Sequence, residues 1–179
     1  KMFSINTIKQ NFNKDYNNFE NENVHLIYNK IAKHFDTTRV IIWPKVEEFI
    51  NNFNKNSTIL DIGCGNGKNM GHRKDCNYIG VDICENLINQ AKNTDNCQYI
   101  LSNCLDIPLK NNSIDYIMSI AVIHHLSTHE RRLDSIKEIY HAVDDIYTDL
   151  EDTEKEVTAW VERELDKIYD IVNDNPLGN

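Results

Sequence analysis

Paired cysteines and long apolar runs are missing from this chain of 179 residues, and proline occurs only three times. The five cysteines form no Cys-x-x-Cys pair and are odd in number, which argues against a disulfide scaffold and against a zinc site. Free thiols predict a reducing compartment, so we expect a cytoplasmic protein, with the nucleus as an alternative. No apolar run approaches the roughly 20 residues that span a bilayer, so we expect no membrane segment.

Basic residues are in the minority, and the imbalance lies at one end of the chain. Residues 1–141 contain 16 acidic and 16 basic residues, whereas residues 142–179 contain 12 acidic and 3 basic residues. Such a shift in composition predicts that the tail is a separate unit. It also argues against contact between the tail and nucleic acid, because phosphate contacts need Lys and Arg.

Three segments follow from composition and periodicity. Residues 1–23 are polar and Asn-rich and are predicted to be flexible, residues 24–141 are predicted to form the folded domain, and residues 142–179 an acidic helical tail. In the tail, Thr153-x-x-Glu156 has the pattern of a capping box, and apolar residues then recur at helical spacing.

Within the domain, helical and strand patterns alternate as in α/β proteins. Each strand candidate is a nearly continuous apolar run, which is typical of a parallel sheet covered by helices on both faces. A capping box, Ser127-x-x-Glu130, is predicted to begin the last helix of the domain. The predicted helices are Val24–Phe35, one starting near Trp43-Pro44, a short one within Lys68–Cys76, and Glu85–Lys92. The predicted strands are Thr58–Ile62, Tyr78–Val81, Gln98–Leu101 and Ile114–Ile123, the last one beginning near Tyr116.

The most specific pattern is the glycine turn after the first predicted strand. Gly63, Gly65 and Gly67 follow Asp61, and the next predicted strand ends in Asp82. Glycines let the backbone turn sharply and approach a ligand closely, and an acid at the tip of the following strand can accept hydrogen bonds from ribose hydroxyls. The spacing is neither that of a dinucleotide fold nor that of a phosphate-binding loop. It predicts a nucleoside-binding crevice at the carboxyl ends of parallel strands.

Beyond this, the chain resembles a particular enzyme family. The segment from Leu60 to Lys68 resembles the first motif of class I S-adenosylmethionine-dependent methyltransferases. The stretch Ser119–Arg132 and the pattern of Val24, His25, Tyr28 and later residues up to Pro44 are similar to the eukaryotic tRNA methyltransferases that esterify 5-carboxymethyluridine at the wobble position. The resemblance covers about residues 24–141.

The resemblance implies S-adenosylmethionine as the cofactor, S-adenosylhomocysteine as its product, and a set of cofactor-binding residues. Asp61 would orient the glycine turn or the methionine amino group, and Asp82 would bind the ribose. Asn103 stands where family members often carry an acid facing the adenine, and its amide oxygen can accept from that amine. The full implied set is Asp61, Gly63, Gly65, Gly67, Asp82, Ile83, Asn103, Cys104 and Ala121.

For catalysis, the implied substrate is a carboxylate that is already ionised at neutral pH, so the site needs to hold and align it rather than deprotonate it. Cationic donors suit this task, and the candidates are Arg39, His124, Arg131 and Arg132. Of the adjacent His124 and His125, the resemblance favours His124. Tyr28 and Trp43 are interpreted first as packing residues.

The fold implied is a Rossmann-like class I methyltransferase core with a mostly parallel sheet in the order 3-2-1-4. Family members continue after the last helix into further strands, which residues 142–179 do not resemble, so we expect an incomplete domain with an exposed sheet edge that favours self-association. The resemblance further implies tRNA and a small zinc-binding activator protein as partners.

Two alternatives to a wobble-uridine tRNA methyltransferase stay open at this level. One is a class I methyltransferase of a small molecule. The other is an inactive, cofactor-binding scaffold, which the expected incompleteness of the domain favours.

Overall fold

The computed structural model of the chain describes residues 18–38, 42–92, 94–110 and 113–143. Several predictions lie outside these residues: most of the flexible N-terminal segment, the candidate Arg39, and the acidic helix with its Thr153 capping box. The helices are α1 (Asn18–Glu20), a π-helical segment (Asn21–His25), α2 (Leu26–Thr38), α3 (Pro44–Asn51), α4 (Glu85–Ile88) and α5 (His129–Val143). The strands are β1 (Thr58–Ile62), β2 (Asn77–Asp82), β3 (Cys97–Leu101) and β4 (Tyr116–Ser119).

The four strands form one parallel sheet in the order β3-β2-β1-β4, which confirms the predicted order. Successive residues of the central strand β1 face opposite sides, because side chains alternate along a strand. Ile59 belongs to one buried apolar cluster, together with Ile50 and Phe53 of the α3 region. Leu60 belongs to the cluster on the other face, with Ala142 of α5. The sheet therefore has apolar layers on both sides, as the continuous apolar strands predicted.

The connection between β1 and β2 is irregular, so the predicted short helix within Lys68–Cys76 is wrong. Gly67 and Gly71 both have φ values in the left-handed region, +71° and +72°, which a right-handed helix does not contain. The segment is held by side chains instead. Asn96 donates to the carbonyl oxygens of Arg73 and Cys76 at 3.0 Å and 2.9 Å, and the Arg73 guanidinium pairs with Asp75. The neighbouring helix α4 is also shorter than predicted, because it ends at Ile88 rather than Lys92.

The fourth strand ends at Ser119, four residues before the predicted end at Ile123. Two residues later, Ala121 adopts a φ of +59°, which breaks the extended path of the backbone. A 3-10 turn, Ile123–His125, follows. The apolar run Ile120 to Ile123 therefore forms a bent loop at the carboxyl end of the sheet rather than more strand.

Helical structure is already present at Asn18, before the predicted start of the domain at Val24. Its anchor is Glu20, whose side chain is only 1% exposed. The Glu20 carboxylate accepts hydrogen bonds from Nε and Nη2 of Arg131, both at 2.8 Å, and from the backbone N and Oγ of Ser127, both at 2.7 Å. These four bonds, which we call the Glu20 clamp, fasten the N-terminal helices to the start of α5.

The clamp also corrects the predicted capping box. The Ser127 hydroxyl donates to Glu20, and the helix does not begin directly after Ser127. The neighbouring residue caps the helix instead, because Thr128 Oγ1 accepts from the backbone N of Arg131 at 3.2 Å. Helix α5 begins at His129, one residue later than a cap at Ser127 would place it.

No helix among the described residues is long and apolar enough to cross a membrane. Within the same residues, no group of three or more His, Cys, Asp or Glu side chains is arranged to hold a metal ion. The expectation of an incomplete domain concerns residues beyond these ranges and stays a prediction.

The clamp predicts a pH-dependent contribution to stability. Burial opposes ionisation of Glu20, but the hydrogen bonds from Arg131 and Ser127 outweigh it and hold the pKa below the ordinary 4.5. A lowered pKa stabilises the fold fully above pH 4.5 and loses that effect as the pH falls through the folded-state pKa. We expect Glu20→Gln to lower the free energy of unfolding by about 1.5–3 kcal/mol near neutral pH, measured by urea denaturation.

The matched control is Glu22→Gln, which makes the same change of charge at an exposed position two residues away. The difference between the Glu20→Gln variant and the unaltered chain should shrink in acid. Equal stability of the two variants at every pH would show that the clamp contributes nothing.

Candidate functional site

A cavity opens where the carboxyl ends of the four strands meet, with an empty volume of about 1040 Å³ that includes its open mouth. This is the edge at which open parallel sheets bind ligands. Loops after all four strands supply its floor, and the N-terminal helices supply part of its wall. The residues that line it are Val24, His25, Tyr28, Trp43, Gly63, Cys64, Gly65, Asn66, Lys68, Asn69, Val81, Asp82, Ile83, Cys84, Leu87, Ser102, Asn103, Cys104, Ile120, Ala121, Val122, His125 and Leu126.

The glycine turn forms the cavity floor after β1. Gly63 and Gly65 line the cavity, and their φ values of +67° and +56° lie in the left-handed region. A Cβ atom on Gly63 would lie 2.2 Å from Cγ2 of Val122, which is closer than any non-bonded contact allows. Gly67 is not among the lining residues, and a Cβ there would meet the Tyr99 hydroxyl at 2.3 Å. The turn therefore needs glycine both for its backbone shape and for close packing.

Asp82, at the tip of β2, holds the loops after β1 and β2 by hydrogen bonds. Its Oδ2 accepts from the backbone N of Gly65 and its Oδ1 from the backbone N of Cys84, each at 2.7 Å. Burial raises the pKa of Asp82, and the backbone hydrogen bonds oppose that shift. Because a carboxylate oxygen has more than one acceptor position, Asp82 keeps capacity for a ribose hydroxyl in the cavity.

Asp61 lies behind this floor rather than on it. The side chain is buried, and its Oδ2 has no hydrogen-bond partner among the described residues. Burial raises the pKa of Asp61 to about 7, the Asp82 carboxylate adds to the shift, and the Lys68 ammonium opposes it. A buried acceptor without a donor calls for an explanation, and an unsatisfied oxygen beside a cavity is suited to a cationic or donor group of a ligand.

The loop after β3 forms the far end of the floor. Asn103, predicted to face the adenine, and Cys104, predicted to bind the cofactor, both line the cavity. The Asn103 amide oxygen accepts from the backbone N of Leu105 at 3.1 Å, so part of its acceptor capacity serves the loop. The backbone N of Ser102 donates to the carbonyl oxygen of Asp82 at 3.0 Å, which joins this loop to the end of β2.

Of the two adjacent histidines, the structure does not place the predicted one at the cavity. His125 lines the cavity and His124 does not. The preference for His124 came from the family resemblance. Both residues lie in the 3-10 turn, where the alternation of side chains along an extended strand does not hold. His125 Nε2 lies 3.0 Å from the Tyr28 hydroxyl, and the two rings meet edge to face. Tyr28, predicted as a packing residue, is therefore also part of the cavity wall.

Neither described arginine candidate reaches the cavity. Arg131 is engaged in the Glu20 clamp. Nη1 of Arg132 donates to the carbonyl oxygen of Leu126 at 2.7 Å. The basic side chains that do line the cavity are His25, Lys68 and His125. Lys68 was not among the predicted site residues. Its position directly after the glycine turn is the feature from which the sequence could have predicted it.

The cavity has the features that a nucleoside cofactor with an ammonium group requires. A backbone cradle without Cβ atoms, a strand-end carboxylate and an unsatisfied buried acid converge on one side. These features fit S-adenosylmethionine.

Comparison with known proteins agrees with this geometry. Residues 60–144 match the family model described as the methyltransferase domain. That part of the chain is similar to this family. The matched segment begins in β1 and includes β2, β3, β4 and α5, so it spans all four strand ends that form the cavity.

Curated relatives of the methyltransferase domain are named as tRNA enzymes. The chain is 42% identical over 121 residues to a tRNA (carboxymethyluridine(34)-5-O)-methyltransferase of Schizosaccharomyces pombe, covering 68% of this chain and 52% of that protein. It is 41% identical over 120 residues to a mouse (Mus musculus) protein of the same enzyme name, covering 67% of this chain and 18% of that one. The chain thus spans about half of the yeast relative and less of the mouse one.

A solved structure has the same fold. In the complex between the Haloferax volcanii Trm112 methyltransferase activator and a methyltransferase, the matched chain superposes with a TM-score of 0.54 at 16% identity. The match covers 65% of this chain and 55% of that chain. At this identity the likeness concerns the fold alone.

The close approach at Gly63 predicts a specific loss of stability. Gly63→Ala and Gly71→Ala both place a side chain at positive φ, which costs about 1–2 kcal/mol of stability. Only the Cβ at position 63 also clashes with Val122. The nearest atom to a Cβ on Gly71 is Cys97 Sγ, at 3.2 Å. We expect Gly63→Ala to lose a further ~1–3 kcal/mol of unfolding free energy in urea.

Removing the obstacle tests the cause. In the double variant Gly63→Ala/Val122→Ala, part of the additional loss should be recovered. Equal losses for the two single variants would mean that the contact with Val122 does not constrain the turn.

Proposed function

We propose that this chain is an S-adenosylmethionine-dependent tRNA methyltransferase that esterifies the carboxylate of 5-carboxymethyluridine at the wobble position. The observation that carries the proposal is the similarity to curated proteins named for this reaction. The cavity supports it, because its floor fits the cofactor and its wall presents basic and hydroxyl groups suited to an anionic substrate. The two alternatives, a small-molecule enzyme and an inactive scaffold, have no comparable support.

The residues that would hold the cofactor follow the strand order. Gly63 and Gly65 would let the methionine and ribose portions of the cofactor lie close to the backbone. Asp82 would bind the ribose, and Asn103 and Cys104 would contact the adenine. Ile83 and Ala121 line the same cavity, while Asp61 and Gly67 would act from behind the floor. When bound, S-adenosylmethionine supplies a methyl group that becomes the ester methyl on a carboxylate oxygen.

The task of the protein is to align the carboxylate and exclude water. His125 and Tyr28, which share a hydrogen bond at the cavity wall, are placed to bind a carboxylate, with His25 nearby. Burial lowers the pKa of His25, and the Glu20 carboxylate opposes this shift. Arg39 stays a candidate for the same role. Arg131 and Arg132 would support the site through the Glu20 clamp and Leu126 rather than by contact with the substrate.

Two partners belong to the proposal. The substrate is tRNA, and the balanced charge of residues 1–141 implies that its binding depends on local contacts more than on a broad basic surface. A small zinc-binding activator protein is the second partner, and the Trm112 complex of a protein with the same fold supports it. Self-association through a sheet edge stays an additional hypothesis.

The direct test is methyl transfer to defined RNA. The chain would be incubated with radiolabelled S-adenosylmethionine and an anticodon stem-loop carrying 5-carboxymethyluridine, with and without a Trm112-type activator. We expect ester formation on this RNA and none on the same RNA with unmodified uridine. Equal transfer to the free nucleoside would favour a small-molecule enzyme, and cofactor binding without any transfer would favour the scaffold.

Matched histidine variants sharpen this test. His125→Asn should slow transfer on the order of 10- to 100-fold, because it removes a group that aligns the carboxylate. His124→Asn should have a much smaller effect, since His124 lies outside the cavity lining. The opposite ranking would restore His124 as the substrate-binding residue.

The pKa of Asp61 predicts how cofactor affinity depends on pH. With a pKa of about 7, Asp61 is largely neutral in mildly acidic solution and cannot then attract the ammonium of the methionine portion. We expect the affinity for S-adenosylhomocysteine, measured by calorimetry, to fall as the pH is lowered from about 7.5 to about 5.5, where that amino group is still largely protonated.

Asp61→Asn is the control, because it keeps the shape of the side chain and removes its titration. This variant should bind S-adenosylhomocysteine more weakly and with little dependence on pH. A steep pH dependence that persists in the variant would assign the effect to another group.

A further inference from the structure

An exposed tryptophan stands at the cavity wall where a packing residue was expected. Residue Trp43 is 48% exposed, although it lies between buried Ile42 and the helix that carries buried Ile50. Its backbone is fixed, since its carbonyl oxygen accepts from the N atoms of Val46 and Glu47 at 2.9 Å and 3.0 Å at the start of α3. A large aromatic ring held in place but left open at a cavity is an informative exception to burial.

A cation accompanies the ring. Lys68 Nζ lies 4.7 Å from the centroid of the Trp43 ring, within the range of a cation–π contact. Both residues line the cavity. We call this pair the Trp43–Lys68 platform. An aromatic face beside a positive charge is the combination with which proteins bind single-stranded nucleic acid, through stacking of a base and attraction of its anionic groups.

The platform lies at the end of the cavity where the methyl group would be delivered. Phe53 follows the end of α3, and its ring stacks on that of Tyr116 of β4, with the ring centroids 4.2 Å apart. Lys68 follows the glycine turn after β1. The adenine positions Asn103 and Cys104 follow β3, two strands away in the sheet order. Adjacent strands are about 4.8 Å apart, so the platform is separated from the adenine end.

We propose that Trp43 stacks on the pyrimidine ring of the target nucleotide through the ring face opposite Lys68, and that Lys68 meets an anionic group of the same RNA. The ligand is a single nucleobase turned out of an RNA loop, which is the usual form in which RNA loops are read by aromatic side chains. This inference rests on the proposed function and adds the residue that binds the base. It also separates the roles, since His125 and Tyr28 would hold the carboxylate while Trp43 holds the ring that bears it.

The test uses the fluorescence of Trp43 in the full chain. The sequence has two tryptophans, Trp43 and Trp160, so Trp160→Phe leaves Trp43 as the sole reporter. In this background, titration with an anticodon stem-loop carrying 5-carboxymethyluridine should quench the fluorescence. An unchanged signal at RNA concentrations that saturate binding in an independent filter assay would overturn the proposal.

Substitution gives the second measurement. Trp43→Ala should raise the KM for the stem-loop at least about fivefold, the low end of the loss expected for one stacked base. Trp43→Phe should recover most of the affinity, because it keeps an aromatic face. Phe49→Ala is the matched control, since Phe49 is a similarly exposed aromatic residue of α3 outside the cavity lining, and its KM should change by no more than about twofold.

Binding of S-adenosylhomocysteine separates this inference from the proposed function. All three variants should bind it as the unaltered chain does. If the unaltered chain neither binds it nor transfers methyl groups, the proposed function fails. If it does both and Trp43→Ala leaves the KM unchanged, or weakens S-adenosylhomocysteine binding instead, the stacking role is wrong.

Discussion

The carboxylate of Asp82 joins the ends of the two central strands, and the cavity floor depends on this connection. One oxygen holds the backbone of Gly65 in the turn after β1, and the other holds the backbone of Cys84 at the start of α4. The backbone N atoms of Gly63 and Cys64 add to this bond, because they donate to the carbonyl oxygen of Val81 at 2.7 Å and 3.1 Å and so also hold the turn to β2. Because the turn has no Cβ at Gly63, it can approach the loop after β4 at Val122. These contacts together set the spacing of a floor made by three strand ends.

A second buried carboxylate holds the wall of the same cavity. Glu20 fastens the N-terminal helices to Ser127 and Arg131, and the π-helical segment and α2 that follow carry His25 and Tyr28 to the cavity. The two acids are used differently. Asp82 is bound by neutral backbone donors and keeps a raised pKa, whereas Glu20 meets a guanidinium and has a lowered one. A charged partner therefore stabilises ionised Glu20, while the ionised form of Asp82 or Asp61 gains most from a cationic ligand.

This arrangement distributes the chemistry over separate parts of the cavity. In the proposed function, the floor at β1 and β2 would hold the methionine and ribose of the cofactor, the loop after β3 would hold its base, and the wall of Tyr28, His125, Trp43 and Lys68 would face the substrate. Methyl transfer to a carboxylate asks mainly for alignment and dryness, and the described residues supply hydrogen-bonding groups rather than a strong general base. The use of arginine in the clamp, away from the cavity, is consistent with that division.

The sequence by itself determined the four strands, their order and most of the floor. Continuous apolar runs identify buried parallel strands, and glycines and an acid at strand ends carry their meaning locally, so Gly63, Gly65 and Asp82 could be placed in advance. The strand order and the positions of Asn103 and Cys104 came from the resemblance to a known family. Only the tertiary structure decided which side chains face the cavity beyond the strands. Arg131 pairs with Glu20, which is 111 positions away in the sequence. His125 rather than His124 lines the cavity, because the left-handed conformation of Ala121 and a 3-10 turn bend the loop that carries them. Local periodicity has no information about such distant partners or about where a bent backbone directs its side chains.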